Sequence, residues 1–132
     1  MKTHLNLRTG DLDKSVAFYE TLLNTQARKH YKDYALLITE SPGLELALDL
    51  DPRLASTESA HYGVVVDTTA EVDAAIVRLQ AAGLPVHVER EEQCCYALQT
   101  KVWASDPDGR RWEVYTVLEE AEERNGDKVT CC

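Results

Sequence analysis

Polar and apolar positions alternate over residues 3–7, with His4 and Asn6 polar and Leu5 and Leu7 apolar. A period of two predicts a half-buried strand. The spacing then changes. Val16, Tyr19, Leu22 and Leu23 recur at helical intervals, which predicts a helix over 15–23 with Asp11 as its N-cap. After Asn24, three runs at 27–32, 34–40 and 44–50 read as strands, broken by Lys32-Asp33 and Ser41-Pro42-Gly43.

The same order returns in the second half. Residues 61–66 form a strand pattern, and Thr68 or Thr69 caps a helix through Leu79 with Val72, Ala75, Ile76 and Leu79 inside. Gly83-Leu84-Pro85 stops that helix, and strands follow at 86–90, 96–104 and 111–117. His4 matches His61 and Leu22 matches Leu79. The pattern predicts one α+β domain over 1–118, made of tandem βαβββ modules at 1–50 and 61–118. Each module alone leaves one sheet face uncovered, so pairing the two sheets is the natural solution. Residues 51–60 read as a polar linker, and 119–132 as an acidic, flexible tail.

Composition narrows the function. At 132 residues the chain is one domain by length. Its net charge of −9, from 14 basic and 23 acidic residues, argues against electrostatic capture of nucleic acid or anionic membranes. No apolar stretch reaches membrane-spanning length and the first strand follows Met1 directly, so a cytoplasmic, reducing location is expected. Free thiols fit that setting better than disulfides.

His4 and His61 open equivalent strands on the polar face. In the last strand Arg111, Glu113 and Tyr115 share a face opposite Trp112 and Val114, and a carboxylate on a strand bound for the core is unusual. Two imidazoles and a carboxylate leave open positions on a divalent metal. That is the facial-triad chemistry of non-haem Fe(II), with Zn²⁺, Mn²⁺ or Ni²⁺ also fitting. The bland reading is two surface histidines and a solvated glutamate; the repeat counts against it. Glu45 reads as a fourth ligand, a cavity wall or a solvated residue. His30 and His87 have no matching partners and read as ordinary.

Cys94 and Cys95 are adjacent among only four cysteines. Their Cα atoms, about 3.8 Å apart, make a mutual disulfide strained. If the backbone turns, the pair can clamp one soft, thiophilic atom, and Glu91-Glu92-Gln93 reads as a polar loop able to supply that turn. The alternative is two small hydrophobes that happen to be neighbours. Thiol capture would be helped by a nearby positive group, and Lys101 and Arg90 are near in sequence, though sequence does not set where either points. Cys131-Cys132 reads as idle thiols on the tail, as a pair that collects a metalloid and hands it to Cys94-Cys95, or as a second soft-ion site.

The tandem modules, His4, His61, the Asp106-Pro107-Asp108-Gly109 turn and Glu113 four residues beyond its glycine resemble the vicinal oxygen chelate superfamily over residues 1–118. This is the glyoxalase/bleomycin resistance/dioxygenase group. The resemblance implies a U-shaped, partly closed mixed sheet around a metal, often in a homodimer. Cys94-Cys95-Tyr96-Ala97 with Tyr31-Lys32-Asp33-Tyr34-Ala35 is further similar to the organoarsenical carbon–arsenic lyases, also known as cadmium-induced proteins. That likeness implies Fe(II), or Ni, Co, Mn or Zn, on His4, His61 and Glu113, with a trivalent organoarsenical on Cys94 and Cys95. O₂ would then cleave the C–As bond of methylarsonous acid to give arsenite and formaldehyde. The rivals are a protein that sequesters cadmium or arsenite without turnover, and a glyoxalase-type isomerase.

Overall fold

A computed structural model describes residues 1–54, 61–94 and 97–120, with backbone alone for Gln93, Cys94, Ala97 and Glu120. The elements follow the expected order: β1 (Thr3–Thr9), α1 (Leu12–Leu23), β2 (Lys29–His30), β3 (Tyr34–Thr39) and β4 (Leu44–Leu50), then β5 (His61–Val65), α2 (Thr69–Ala81), β6 (His87–Cys94), β7 (Ala97–Ser105) and β8 (Arg111–Glu120). They make two four-stranded sheets, ordered β1-β4-β3-β2 and β5-β8-β7-β6. The two orders are the same, so the sequence repeat is a structural repeat of two βαβββ modules. Each sheet is open, with edges at its first and second strands. By packing, the chain divides into Met1–Tyr62 with Ser105–Arg111, and Gly63–Ala104 with Trp112–Cys132.

In the first unit β1 runs parallel to β4, and β3 antiparallel to both β4 and β2. A parallel pair needs a crossover, which α1 and the β2–β3 hairpin supply. Asp11 caps α1 by accepting from the Lys14 amide at 3.1 Å, and Asn24 closes it in the left-handed conformation. Leu12, Val16, Phe18, Tyr19, Leu22 and Leu23 are buried, and α1 packs on β3 and β4. Ala35, Leu37, Leu44, Leu46 and Leu48 are buried in those two strands. The other face carries His4, Asn6, Glu45 and Asp49.

The second unit repeats the logic. Thr68 and Glu71 form a reciprocal capping box at the start of α2, which buries Val72, Ala75 and Leu79. Val64, Val102, Ala104, Trp112 and Val114 are buried in the strands.

Several element ends shift from expectation, and those of β2 and β6 have a local reason. β2 is only two residues long, because the Ala27 amide is taken by the Glu20 carboxylate and the Tyr31 amide turns back to Tyr34. Residues 91–93, expected as a loop, belong to β6. A bulge between Glu89 and Glu92 absorbs one residue, with Glu91 at φ 50° and its amide donating to Thr100 Oγ1 at 3.0 Å. β8 continues to Glu120, two residues into the expected tail. Most of the linker, Cys95, Tyr96 and the tail with Cys131 and Cys132 lie outside the described residues.

Candidate functional site

The β1–β4 register sets His4 directly opposite Glu45, and their side chains meet with Nδ1 3.0 Å from Oε1. An ionised carboxylate only accepts, so Nδ1 carries the hydrogen, and in a neutral ring the Nε2 lone pair is then left for a ligand. Glu45 is thus the partner of His4. Two positions along the same strands, Asn6 donates to Asp49 at 2.7 Å. His61 opens β5 and is exposed, and by alternation it shares a face with Gly63 and Val65.

Glu113 sits in the second unit, only 6% exposed. Its Oε2 lies 3.4 Å from Nζ of Lys101, which is 1% exposed. The ammonium is also 5.4 Å from the ring centroids of both Trp103 and Tyr115, within cation–π range. Burial, and then the Glu113 charge, push the Tyr115 hydroxyl above its ordinary pKa. Gly63 lies against both side chains: a Cβ there would sit 3.0 Å from Glu113 Cγ and from Tyr115 Cε1, so a larger residue would need both to give by a few tenths of an ångström.

The Asp106-Pro107-Asp108-Gly109 turn belongs to the first unit. Asp106 accepts from Tyr19 Oη at 2.6 Å, from the Arg110 and Asp108 amides at 2.8 and 3.0 Å, and from Arg110 Nη1 at 3.2 Å. Arg110 Nη2 donates to the Arg8 carbonyl at 2.8 Å, and the Gly10 amide donates to Asp108 at 2.9 Å. Burial alone would lower the Arg110 pKa, but its hydrogen bond and charge pairing with Asp106 raise it instead. Gly109 takes φ 90°, which closes the turn. This motif is a lock for β1 and α1, three residues ahead of Glu113.

Cys94 ends β6 in register with Ala97, and Cys95 lies outside the described residues. Neither nearby cation is idle there: Lys101 holds Glu113, and Arg90 pairs with Asp73 on α2 at 2.7 Å. His30 pairs with Asp13 and His87 with Glu89. The structure therefore brings His4 to Glu45 and Glu113 to Lys101. Among the described residues it does not gather three or more His, Cys, Asp or Glu side chains into a group able to hold a metal. Taken singly, an imidazole nitrogen like that of His4 and a buried carboxylate like that of Glu113 are donor types that divalent ions accept. Sequence reasoning missed the Lys101–Glu113 pair. Its only local signal is the alternation of Lys101 and Trp103 along β7.

The profile of the Glyoxalase/Bleomycin resistance protein/Dioxygenase superfamily matches residues 3–114. The chain belongs to this superfamily. A superfamily structure from Alicyclobacillus acidocaldarius aligns with a TM-score of 0.71 at 21% identity, covering 90% of this chain and 92% of that one, which supports the fold. Two superfamily relatives are closer in sequence. A Bacillus sp. (strain MD1) protein named trivalent organoarsenical cleaving enzyme is 38% identical over 130 residues, 98% of this chain and 81% of that protein. The Cadmium-induced protein CadI of Mycobacterium tuberculosis (strain H37Rv) is 40% identical over 121 residues, 92% of this chain and 79% of that protein. No helix among the described residues is long and apolar enough to cross a membrane.

Proposed function

We propose that this superfamily member is an Fe(II)- and O₂-dependent lyase that cleaves the carbon–arsenic bond of trivalent organoarsenicals. The observation that carries the reading is the likeness, over 98% of the chain, to a protein named for that cleavage. The chain's adjacent soft thiols agree with it. Methylarsonous acid has two exchangeable hydroxyls, and Cys94 and Cys95 displace them as two waters to hold arsenic through two sulfurs. His4, His61 and Glu113 hold the iron, with Glu45 fixing the His4 tautomer. Iron(II), when bound, supplies O₂ activation; Ni, Co, Mn or Zn fit the same donors. The overall change balances as CH₃As(OH)₂ plus O₂ giving As(OH)₃ plus CH₂O. The methyl carbon loses four electrons, O₂ gains four, and arsenic stays trivalent. Glu113 is only 6% exposed, and its partner Lys101 lies against the Trp103 and Tyr115 rings, so little water reaches that carboxylate. Fixing the arsenical beside that carboxylate makes a two-body encounter a positioned one.

A second reading is favoured by the cadmium-induced relative: sequestration of Cd²⁺ or arsenite without turnover. Sequestration needs the cysteines and not the histidines. His61→Ala separates the two, because the lyase loses protection of arsenical-exposed cells while a sequestering protein keeps it. Cys95→Ser abolishes both.

A further inference from the structure

Lys101 lies between two carboxylates on one sheet face. Glu113 on β8 receives its ammonium at 3.4 Å. On the other side, Glu89 of β6 is the direct cross-strand partner of Lys101 in the β6–β7 ladder, so the two side chains leave the sheet together. Glu89 is only half engaged: Oε1 is 3.3 Å from Nε2 of His87, while Oε2 is buried with no hydrogen-bond partner among the described residues. A buried acceptor left unmet is unfavourable. It stands next to a buried cation whose ion pair, at 3.4 Å, is long.

From this juxtaposition we infer that Lys101 and Glu89 are positioning residues that set the metal affinity of Glu113: Lys101 holds that carboxylate while no metal is bound, and Glu89 receives the ammonium when a metal takes Glu113. The inference rests on the reading of Glu113 as a ligand. A buried carboxylate left alone would be strongly destabilised, and the ammonium at 3.4 Å holds it in place. With a metal on Glu113 the ammonium would lose that carboxylate, while the Trp103 and Tyr115 rings stay 5.4 Å from it. Oε2 of Glu89 lies one strand away and gains a donor it otherwise lacks. No proton or electron is transferred; one ion pair replaces another.

The test is the affinity of metal-free, full-length protein for Co²⁺ alone, measured by calorimetry and by the ion's visible spectrum. Glu89→Gln removes the receiving charge and weakens Co²⁺ binding about tenfold, the usual scale for a partner one shell out from the ligands. Lys101→Met removes the competitor, so Co²⁺ binding is retained or tightened while the metal-free protein melts at lower temperature. In the Lys101→Met background, Glu89→Gln then has no effect on Co²⁺ affinity. If Lys101→Met does not fold, Lys101→Gln, which still donates to Glu113, replaces it. Unchanged affinity in Glu89→Gln overturns the inference, as does an equal loss with and without Lys101. Glu113→Gln serves as the control. If it binds Co²⁺ as tightly as the parent, or the parent binds none, the ligand assignment itself falls and the inference with it.

Discussion

At the scale of single residues, the ligand candidates and their partners differ in how visible they were. His4, His61 and Glu113 could be picked out because their chemistry is carried by residue type and repeat position. Lys101 could not be tied to Glu113, since the β7–β8 pairing that brings them together is set by long-range packing. The Asp106 cluster was visible only as a turn signature; its function as an acceptor for Tyr19 and Arg110 needed the fold. That buried network makes the sharpest stability prediction. Tyr19→Phe loses a hydrogen bond to a charged group and costs about 1.5–3 kcal/mol in urea denaturation. Asp106→Ala also takes away the nearer carboxylate of Arg110, leaving it Asp108 at 3.6 Å and the Arg8 carbonyl, and costs about 3–5 kcal/mol. A loss below about 0.5 kcal/mol in both, within the range of ordinary surface substitutions, would show that the cluster does not hold the turn.

Among the elements, order and type were legible because the helical and strand periods are local properties. The ends of β2 and β6 were not. One is cut short by the Glu20 side chain taking a backbone amide, and the other continues through a bulge at Glu91, a residue whose left-handed backbone no hydrophobic pattern announces. The capping box of α2 was half legible, with Thr68 and Thr69 both open as the cap. Thr68→Ala should cost about 1 kcal/mol by thermal or chemical denaturation; no loss would place the cap elsewhere. Gly63 tests the fit between β5 and β8. A β-carbon in a strand ordinarily favours stability by about 0.5–1 kcal/mol over glycine. Here Gly63→Val should instead destabilise, and weaken Co²⁺ binding several-fold, because the added atoms press on Glu113 and Tyr115. A more stable variant with unchanged Co²⁺ affinity would mean that Glu113 does not rest over that glycine.

For the whole molecule, two modules of the same strand order each contribute to the proposed chemistry: His4 and Glu45 from the first, Glu113 and Lys101 from the second. The α+β class and tandem modules were readable because a duplicated pattern is a global signal. The seat of Cys95 and the tail thiols was not, because neither lies in a periodic segment. Removing residues 121–132 should leave turnover at saturating substrate largely intact; a loss as large as that of Cys95→Ser would give Cys131 and Cys132 a direct part in holding arsenic. The reaction itself is tested most directly by loading metal-free protein with Fe(II) anaerobically, adding trivalent methylarsenic and then admitting O₂. Formaldehyde and arsenite should appear together in equal amounts, and only after O₂ enters. No product with iron, but product from a thiol adduct with nickel or zinc, would contradict the lyase and favour the isomerase.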